Sequence, residues 1–271
     1  MKKALGYLAS GLLVLALAAC GGGGSQSGTA IDEKKIVVGV TSGLHEQILE
    51  KVKEVAAKDG LEVELKVFSD FQMPNIALTE KEIDANSYQT IPFLETYKKE
   101  KGADLTAVGQ TVLNPMGVYP HKIKSLDELK AGDTLGLPND PTNSTRALLL
   151  FQSAGLIKLK DGVSNDATVL DIAENPRELK FVELDAAQIA KQLDDVTAAA
   201  INTSYAIKNN LQPGKDSIFL EPKDSKHHNV IAVRTENKDD VAVQKLVKAY
   251  QSDEVKKFVE DTFEGSVIPV W

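Results

Sequence analysis

Lys35-Ile36-Val37-Val38-Gly39-Val40 is a short, β-branched run without polar alternation, as expected of a strand buried on both faces. Ser42 follows as a candidate helix cap. Leu44, Ile48, Leu49, Val52, Val55 and Ala56 then recur at near-helical spacing until Asp59-Gly60 stops the pattern. Leu61 to Phe68 alternates as a second strand. Strand, helix and strand in immediate succession make a β-α-β unit, whose crossover suits parallel pairing.

The same grammar continues outward. Pro74 opens a helix at a position where its missing N–H costs nothing, Ile91 to Lys101 reads as another helix, and Leu105 to Leu113 as a strand. Ser125-Leu126-Asp127-Glu128 has the form of a capping box on a short helix. Thr134 to Leu137 reads as a strand, and Asn143 to Ala154 as a helix closed by Gly155. Thr168 to Glu174 and Ala187 to Leu193 read as helices, with a strand at Leu179 to Leu184 between them. Thr197 to Ile201 is a strand leading into a helix at Thr203 to Asn209. Ile231 to Arg234 is a strand, and Asp239 to Phe263 a long amphipathic helix in one or two pieces. The expectation is an α/β protein with mainly parallel sheets.

Two lobes fit this element count better than one very wide sheet, and pockets favour the cleft between lobes. Residues 34–115 plus 229–271 are assigned to the first lobe and 116–228 to the second. The irregular stretches Asn114 to Pro120 and Ser225 to Asn229 are the expected hinges.

The N-terminus reads as an export address. Lys2 and Lys3 precede an apolar run from Leu8 to Ala19, too short to span a bilayer as a helix, so 1–19 is assigned as a signal peptide. Leu17-Ala18-Ala19-Cys20 has the form of a lipobox, and Cys20 is the only cysteine. Cys20 is therefore the expected lipidation point, and 20–33, rich in Gly and Ser, the expected flexible tether. The expected location is the cell membrane, lipid-anchored, on the extracytoplasmic side.

The formal net charge is −8 and becomes more negative without Lys2 and Lys3. That balance disfavours nucleic acid as a partner. One cysteine permits no intramolecular disulfide, and a lipidated thiol leaves no cysteine nucleophile. Of the four histidines, none sits in a nucleophile or metal motif, and adjacent His227 and His228 point to opposite faces if extended. No enzyme activity, metal or cofactor is expected.

Several segments, taken together, resemble the NlpA family of methionine-binding lipoproteins. They are Pro138-Asn139-Asp140-Pro141-Thr142-Asn143, Gly155 to Gly162, and Ala200-Ile201-Asn202-Thr203-Ser204-Tyr205-Ala206. Asp84-Ala85-Asn86 with Pro92-Phe93-Leu94, Glu174-Asn175-Pro176 and Tyr250 to Val255 add to it. The similarity runs from about Ile36 to Trp271. It implies a two-lobed, type II-like periplasmic-binding-protein fold, with the cleft between lobes joined by two hinge strands. It also implies a monomer that delivers methionine, or another small hydrophobic amino acid or short peptide, to an ABC transporter permease, with a lipid-anchored surface adhesin as the alternative role.

A free amino acid needs a cation for its carboxylate, acceptors for its ammonium and a shaped wall for its side chain. Arg146, placed near the first turn of its helix, is the candidate for the carboxylate, with a solvated surface arginine as the alternative. Asn202 follows directly on the apolar strand Ala198-Ala199-Ala200-Ile201, where open α/β sheets bind ligands, and reads equally well as a helix cap. Asn143 is either a ligand contact or the cap of the helix bearing Arg146. The resemblance assigns a ligand contact to Asn229 and an aromatic wall to Phe68, Tyr88 and Phe93. It also exposes one departure: Tyr88-Gln89-Thr90 stands where relatives commonly read Phe-Gln-His, so Thr90 replaces a histidine and the ligand side chain is left open.

Overall fold

The structure, a computed structural model, describes residues 30–163 and 166–271. The proposed signal segment, Cys20 and the tether up to residue 29 lie outside the described residues. The chain runs through β1 (Lys35–Thr41), α1 (Leu44–Lys58), β2 (Glu62–Phe68), α2 (Met73–Thr79), β3 (Ala85–Thr90), α3 (Ile91–Lys101) and β4 (Leu105–Leu113). Residues 114–116 then carry it to a second sheet. There it forms β5 (Gly117–Pro120), β6 (Thr134–Pro138), α4 (Pro141–Ser153), β7 (Lys158–Leu159), β8 (Ile172–Glu174) and β9 (Lys180–Leu184). β10 (Ala198–Ile201), α5 (Thr203–Lys208), α6 (Pro213–Asp216) and β11 (Phe219–Leu220) complete that excursion. Residues 221–227 return to β12 (His228–Arg234), α7 (Val241–Tyr250), α8 (Asp253–Phe263) and β13 (Ile268–Pro269).

The first sheet has the order β13-β4-β12-β3-β1-β2 and the second β11-β5-β10-β6-β9. Only one end of each is parallel: β3-β1-β2 in one, β10-β6-β9 in the other. β12 is antiparallel to β3 and β4, and β5 is antiparallel to β10 and β11. The expectation of mainly parallel sheets is corrected accordingly. Strands next to the crossovers are not joined to their neighbours by a helical βαβ connection, so nothing forces them parallel.

Each lobe buries its own core. Ile36, Val38 and Val40 pack under Leu44, Ile48 and Val52 of α1 and under Leu246, Val255 and Val259 of α7 and α8. Trp271 closes this core edge-on against Tyr250, ring centres 5.7 Å apart. In the second lobe Leu135 and Leu137 pack against Leu148 and Phe151 of α4. A third cluster belongs to both lobes, joining Phe71, Tyr88 and Phe93 to Ile189, Ile201 and Tyr205.

Several expected elements differ. Ile31, assigned to the tether, is 9% exposed, lies in the first core and donates its amide to Asp240 at 3.0 Å. The expected helix at Thr168 to Glu174 is one turn, Val169–Asp171, running into β8. The side chain of Asp171 folds back on the Thr168 amide and hydroxyl at 3.1 and 3.0 Å. The expected helix at Ala187 to Leu193 is a set of turns, in which Ile189 is drawn fully into the shared cluster. At the expected capping box, Glu128 accepts from the Lys124 amide at 3.2 Å while the Ser125 side chain makes no cap bond. The long C-terminal helix breaks at Gln251, and the Ser252 hydroxyl restarts it by accepting from the Val255 amide at 3.3 Å. The hinges shift as well. Gly117–Pro120 is already a strand of the second sheet and His228–Asn229 already belongs to β12, because both are held in ladders. The crossovers are 114–116 and 221–227.

Candidate functional site

A cavity lies between the lobes, the kind of place ligand pockets prefer. It collects residues from the carboxyl ends of parallel strands in both sheets, where helices begin. β1 turns into α1 through Gly43, whose φ of 96° suits a residue without Cβ, and this delivers His45. β3 ends in Tyr88, Gln89 and Thr90, and α3 supplies Phe93. Thr90 caps α3, its hydroxyl accepting from the Phe93 amide at 3.4 Å. From the second lobe come Asn143 and Arg146 on α4, and Asn202, Thr203 and Ser204 after β10. Asn114 and Asn229, beside the two crossovers, complete the lining with Phe71.

The structure thus brings six of the seven proposed contact residues to one cavity: Tyr88, Phe93, Asn143, Arg146, Asn202 and Asn229. Phe68 is not among the lining residues. It packs beside Ile83 and under the Lys66 ammonium, 5.6 Å from its ring centre. β2 ends with it, and Asp70 then folds the chain back by accepting from the amides of Gln72 and Met73 at 2.8 and 3.0 Å. That turn presents Phe71 instead. Its ring lies 4.5 Å from Tyr205, 6.0 Å from Tyr88 and 6.3 Å from Phe93.

Three asparagines of the cavity are half satisfied, and on the same half. Asp140 caps α4 by accepting from the Asn143 amide at 3.0 Å, so Asn143 is not the cap. The Asn143 side-chain amide donates to the Asp140 carboxylate at 2.9 and 3.0 Å, and its oxygen accepts from Asn202 at 2.7 Å. This chain fixes the Asn202 amide and leaves Oδ1 buried without a partner. Asn202 stands at the N-cap of α5, yet its side chain makes no cap bond. Asn229 donates to the Tyr88 carbonyl at 2.7 Å, and its Oδ1 is likewise buried and unpartnered. Asn114 pairs its Nδ2 with His45 Nε2 at 3.3 Å and repeats the pattern. Three amide oxygens, all acceptors, are thus left without a partner among the described residues.

His45 is fully buried, and burial pushes its pKa down to about 3, so the ring is neutral. Its Nδ1 has no partner among the described residues. Tyr88 also keeps its proton, because burial raises its pKa well above the usual phenol value; its hydroxyl is unpartnered too.

Arg146 is 4% exposed and lies in the second turn of α4, since the helix starts at Pro141, earlier than its sequence suggests. One edge is occupied. Nε donates to Glu221 at 3.1 and 3.2 Å, Nη2 pairs with the same carboxylate, and Nη2 also donates to the Asn114 carbonyl at 2.8 Å. Nη1 makes no hydrogen bond to any described residue. Burial works against the charge on Glu221, but the Arg146 guanidinium and a hydrogen bond from His227 outweigh it. They hold the carboxyl well below the usual range.

Phe71, His45 and Asn114 were not marked by sequence. Asn114 follows the apolar end of β4 as Asn202 follows β10, and the same strand-end rule applied twice would have found it. His45 stands beside Leu44 at the head of an otherwise apolar helix face, a polar residue at a buried position.

Comparison with known proteins places this chain. The model of the NlpA lipoprotein family matches residues 36–271. A D-methionine-binding lipoprotein of Salmonella typhi is 47% identical over 268 residues, covering 98% of this chain and 97% of the relative. A nutrient-binding protein from Burkholderia cenocepacia, solved bound to methionine, superposes with a TM-score of 0.86 at 49% identity, over 87% of this chain and all of that one. A periplasmic substrate-binding protein of an ABC transporter from Coxiella burnetii gives 0.84 at 42% identity, over 87% of this chain and all of that one. Two mixed sheets around a shared cavity, a matching family model and near-full-length identity lead to one assignment: the chain belongs to the NlpA lipoprotein family.

Proposed function

We propose that this protein is the substrate-binding lipoprotein of an ABC importer, that it captures free methionine, and that it hands the amino acid to the permease. The observation that carries the reading is the leftover hydrogen-bonding capacity of the cavity. One guanidinium edge offers donors to a carboxylate. The unpartnered oxygens of Asn114, Asn202 and Asn229 offer acceptors to an ammonium. Phe71, Tyr88 and Phe93 form an apolar wall suited to a polarizable thioether, each ring contact adding about 0.3–1.5 kcal/mol. Each group is what a zwitterionic amino acid with an uncharged side chain lacks a partner for.

The names of the relatives support methionine as that amino acid and an ABC importer as the destination. Lipidation at Cys20 would tether the monomer at the extracytoplasmic face of the membrane, within reach of the permease. Ligand closes the lobes only to the extent that it binds the closed form more tightly. Protein purified without added amino acids is expected to release methionine on denaturation, detected by mass spectrometry, and to rebind it by calorimetry. Release of a different ligand, with no heat on adding methionine, would overturn the reading.

A further inference from the structure

Arg146 is the only charged side chain that lines the cavity among the described residues. His45 is neutral, and no carboxylate reaches the lining. An unbalanced buried cation would make this a site for anions in general. It is not unbalanced. Glu221 is 8% exposed and meets the guanidinium from the side away from the cavity, where it also lines a groove with Ser225 and His227. Its grip is redundant. Oε1 accepts from the Ser225 hydroxyl at 2.8 Å and lies 2.9 Å from His227 Nδ1, while Oε2 accepts from the Met116 amide at 3.1 Å. The Glu221 amide donates to the Met116 carbonyl at 2.9 Å, so the carboxylate is built into both crossovers.

We propose that Glu221 sets the charge class of the ligand: by neutralising Arg146 from behind, it makes the cavity select zwitterions over simple carboxylate anions. It acts through Arg146 and is a positioning residue, holding the Nε and Nη2 edge so that Nη1 remains for a ligand. Its electrostatic part is directional. A ligand with carboxylate and ammonium feels Glu221 as repulsion and attraction that largely cancel. A monoanion feels repulsion alone. A second, half-buried carboxylate nearby, Asp140, reaches the cavity only through Asn143 and Asn202, and it favours the ammonium in the same sense.

This inference rests on the amino-acid reading above and sharpens it, and the test separates the two. Three ligands share one side chain: methionine, its 2-hydroxy acid analogue, which is a monoanion, and methioninamide, which is a monocation. Calorimetry on the wild-type protein is expected to show methionine tightest, with both analogues weakened to a similar degree. In Glu221→Gln the preference for methionine over the hydroxy acid should contract by roughly tenfold or more, as expected for removal of one charge within several ångströms at a partly screened site. Arg146→Lys, which keeps the charge balance, should weaken all three and leave that ratio in place. A purely structural Glu221 would weaken every ligand alike, and an unchanged ratio in folded Glu221→Gln overturns the proposal. Should that variant not fold, the wild-type series decides: a hydroxy acid that binds about as well as methionine, with the amide far behind, overturns it too. Wild-type protein that binds none of the three sinks the amino-acid reading itself.

Discussion

Two arginines are buried in this molecule, and their surroundings differ in one respect. Arg234, at the end of β12, is 8% exposed. It donates from Nη1 to the carbonyls of Leu78 and Ile83 at 2.9 and 2.7 Å and from Nε to Asn237 at 2.9 Å, with Asp84 3.6 Å from Nη2. All of these partners belong to the first lobe, and they close the loop between α2 and β3. Arg146 has a carboxylate and one carbonyl on one edge, and Nη1 without a partner on a side chain that lines a cavity. Burial and ion pairing are common to both and therefore say little about function. Nη1 separates them: it makes no hydrogen bond to any described residue, and it belongs to a side chain that lines a cavity where a ligand acceptor can sit.

The comparison is most easily broken by truncating both. Arg146→Ala should cost about 3–5 kcal/mol of stability, since the buried Glu221 loses its guanidinium partner, and should also remove most measurable ligand affinity. Arg234→Ala should cost about 2–4 kcal/mol by stranding two carbonyls, while the folded protein keeps its affinity. Denaturant melts alongside calorimetry check both, and lost affinity in Arg234→Ala would erase the distinction.

A second, smaller effect concerns His45. Its folded pKa of about 3 lies below the ordinary 6.5, so the unfolded chain binds the extra proton between those values. Stability attributable to this site is therefore full above about pH 6.5 and falls as pH drops, on the order of 1 kcal/mol per unit until about pH 3. His45→Gln should flatten that slope in urea melts taken between pH 7 and 4. An unchanged slope would mean other groups set it.

Asn202→Ala sharpens the point about leftover acceptors. It should weaken methionine by about 1–2 kcal/mol, with a smaller change in stability. Smallest of all, Phe71→Ala should cost about 1 kcal/mol of affinity, whereas Phe68→Ala should cost stability and leave affinity alone.

The pair Phe71 and Phe68 also shows where sequence reasoning stops. β1 and the strand before Asn202 were legible because their apolar runs are nearly continuous and their neighbours are helix starts. The six residues that do meet at the cavity follow from strand ends and from family resemblance. Phe71 does not, because its placement depends on a side-chain turn at Asp70 rather than on any period. Ile189 misled for the opposite reason: its segment has helical spacing, but burial against the other lobe decides its conformation. Glu221 carried no signal at all. A lone glutamate in a polar stretch looks solvated until the arginine it neutralises, 75 residues earlier, is seen beside it.

The single tryptophan has a practical consequence. Trp271 stacks edge-on against Tyr250 in the first core, remote from the rings that line the cleft. Its emission therefore reports melting of one lobe and is blind to the opening and closing between them. An indole installed at Tyr205, 4.5 Å from Phe71 across the cleft, would turn lobe closure into an optical signal against a background that does not move.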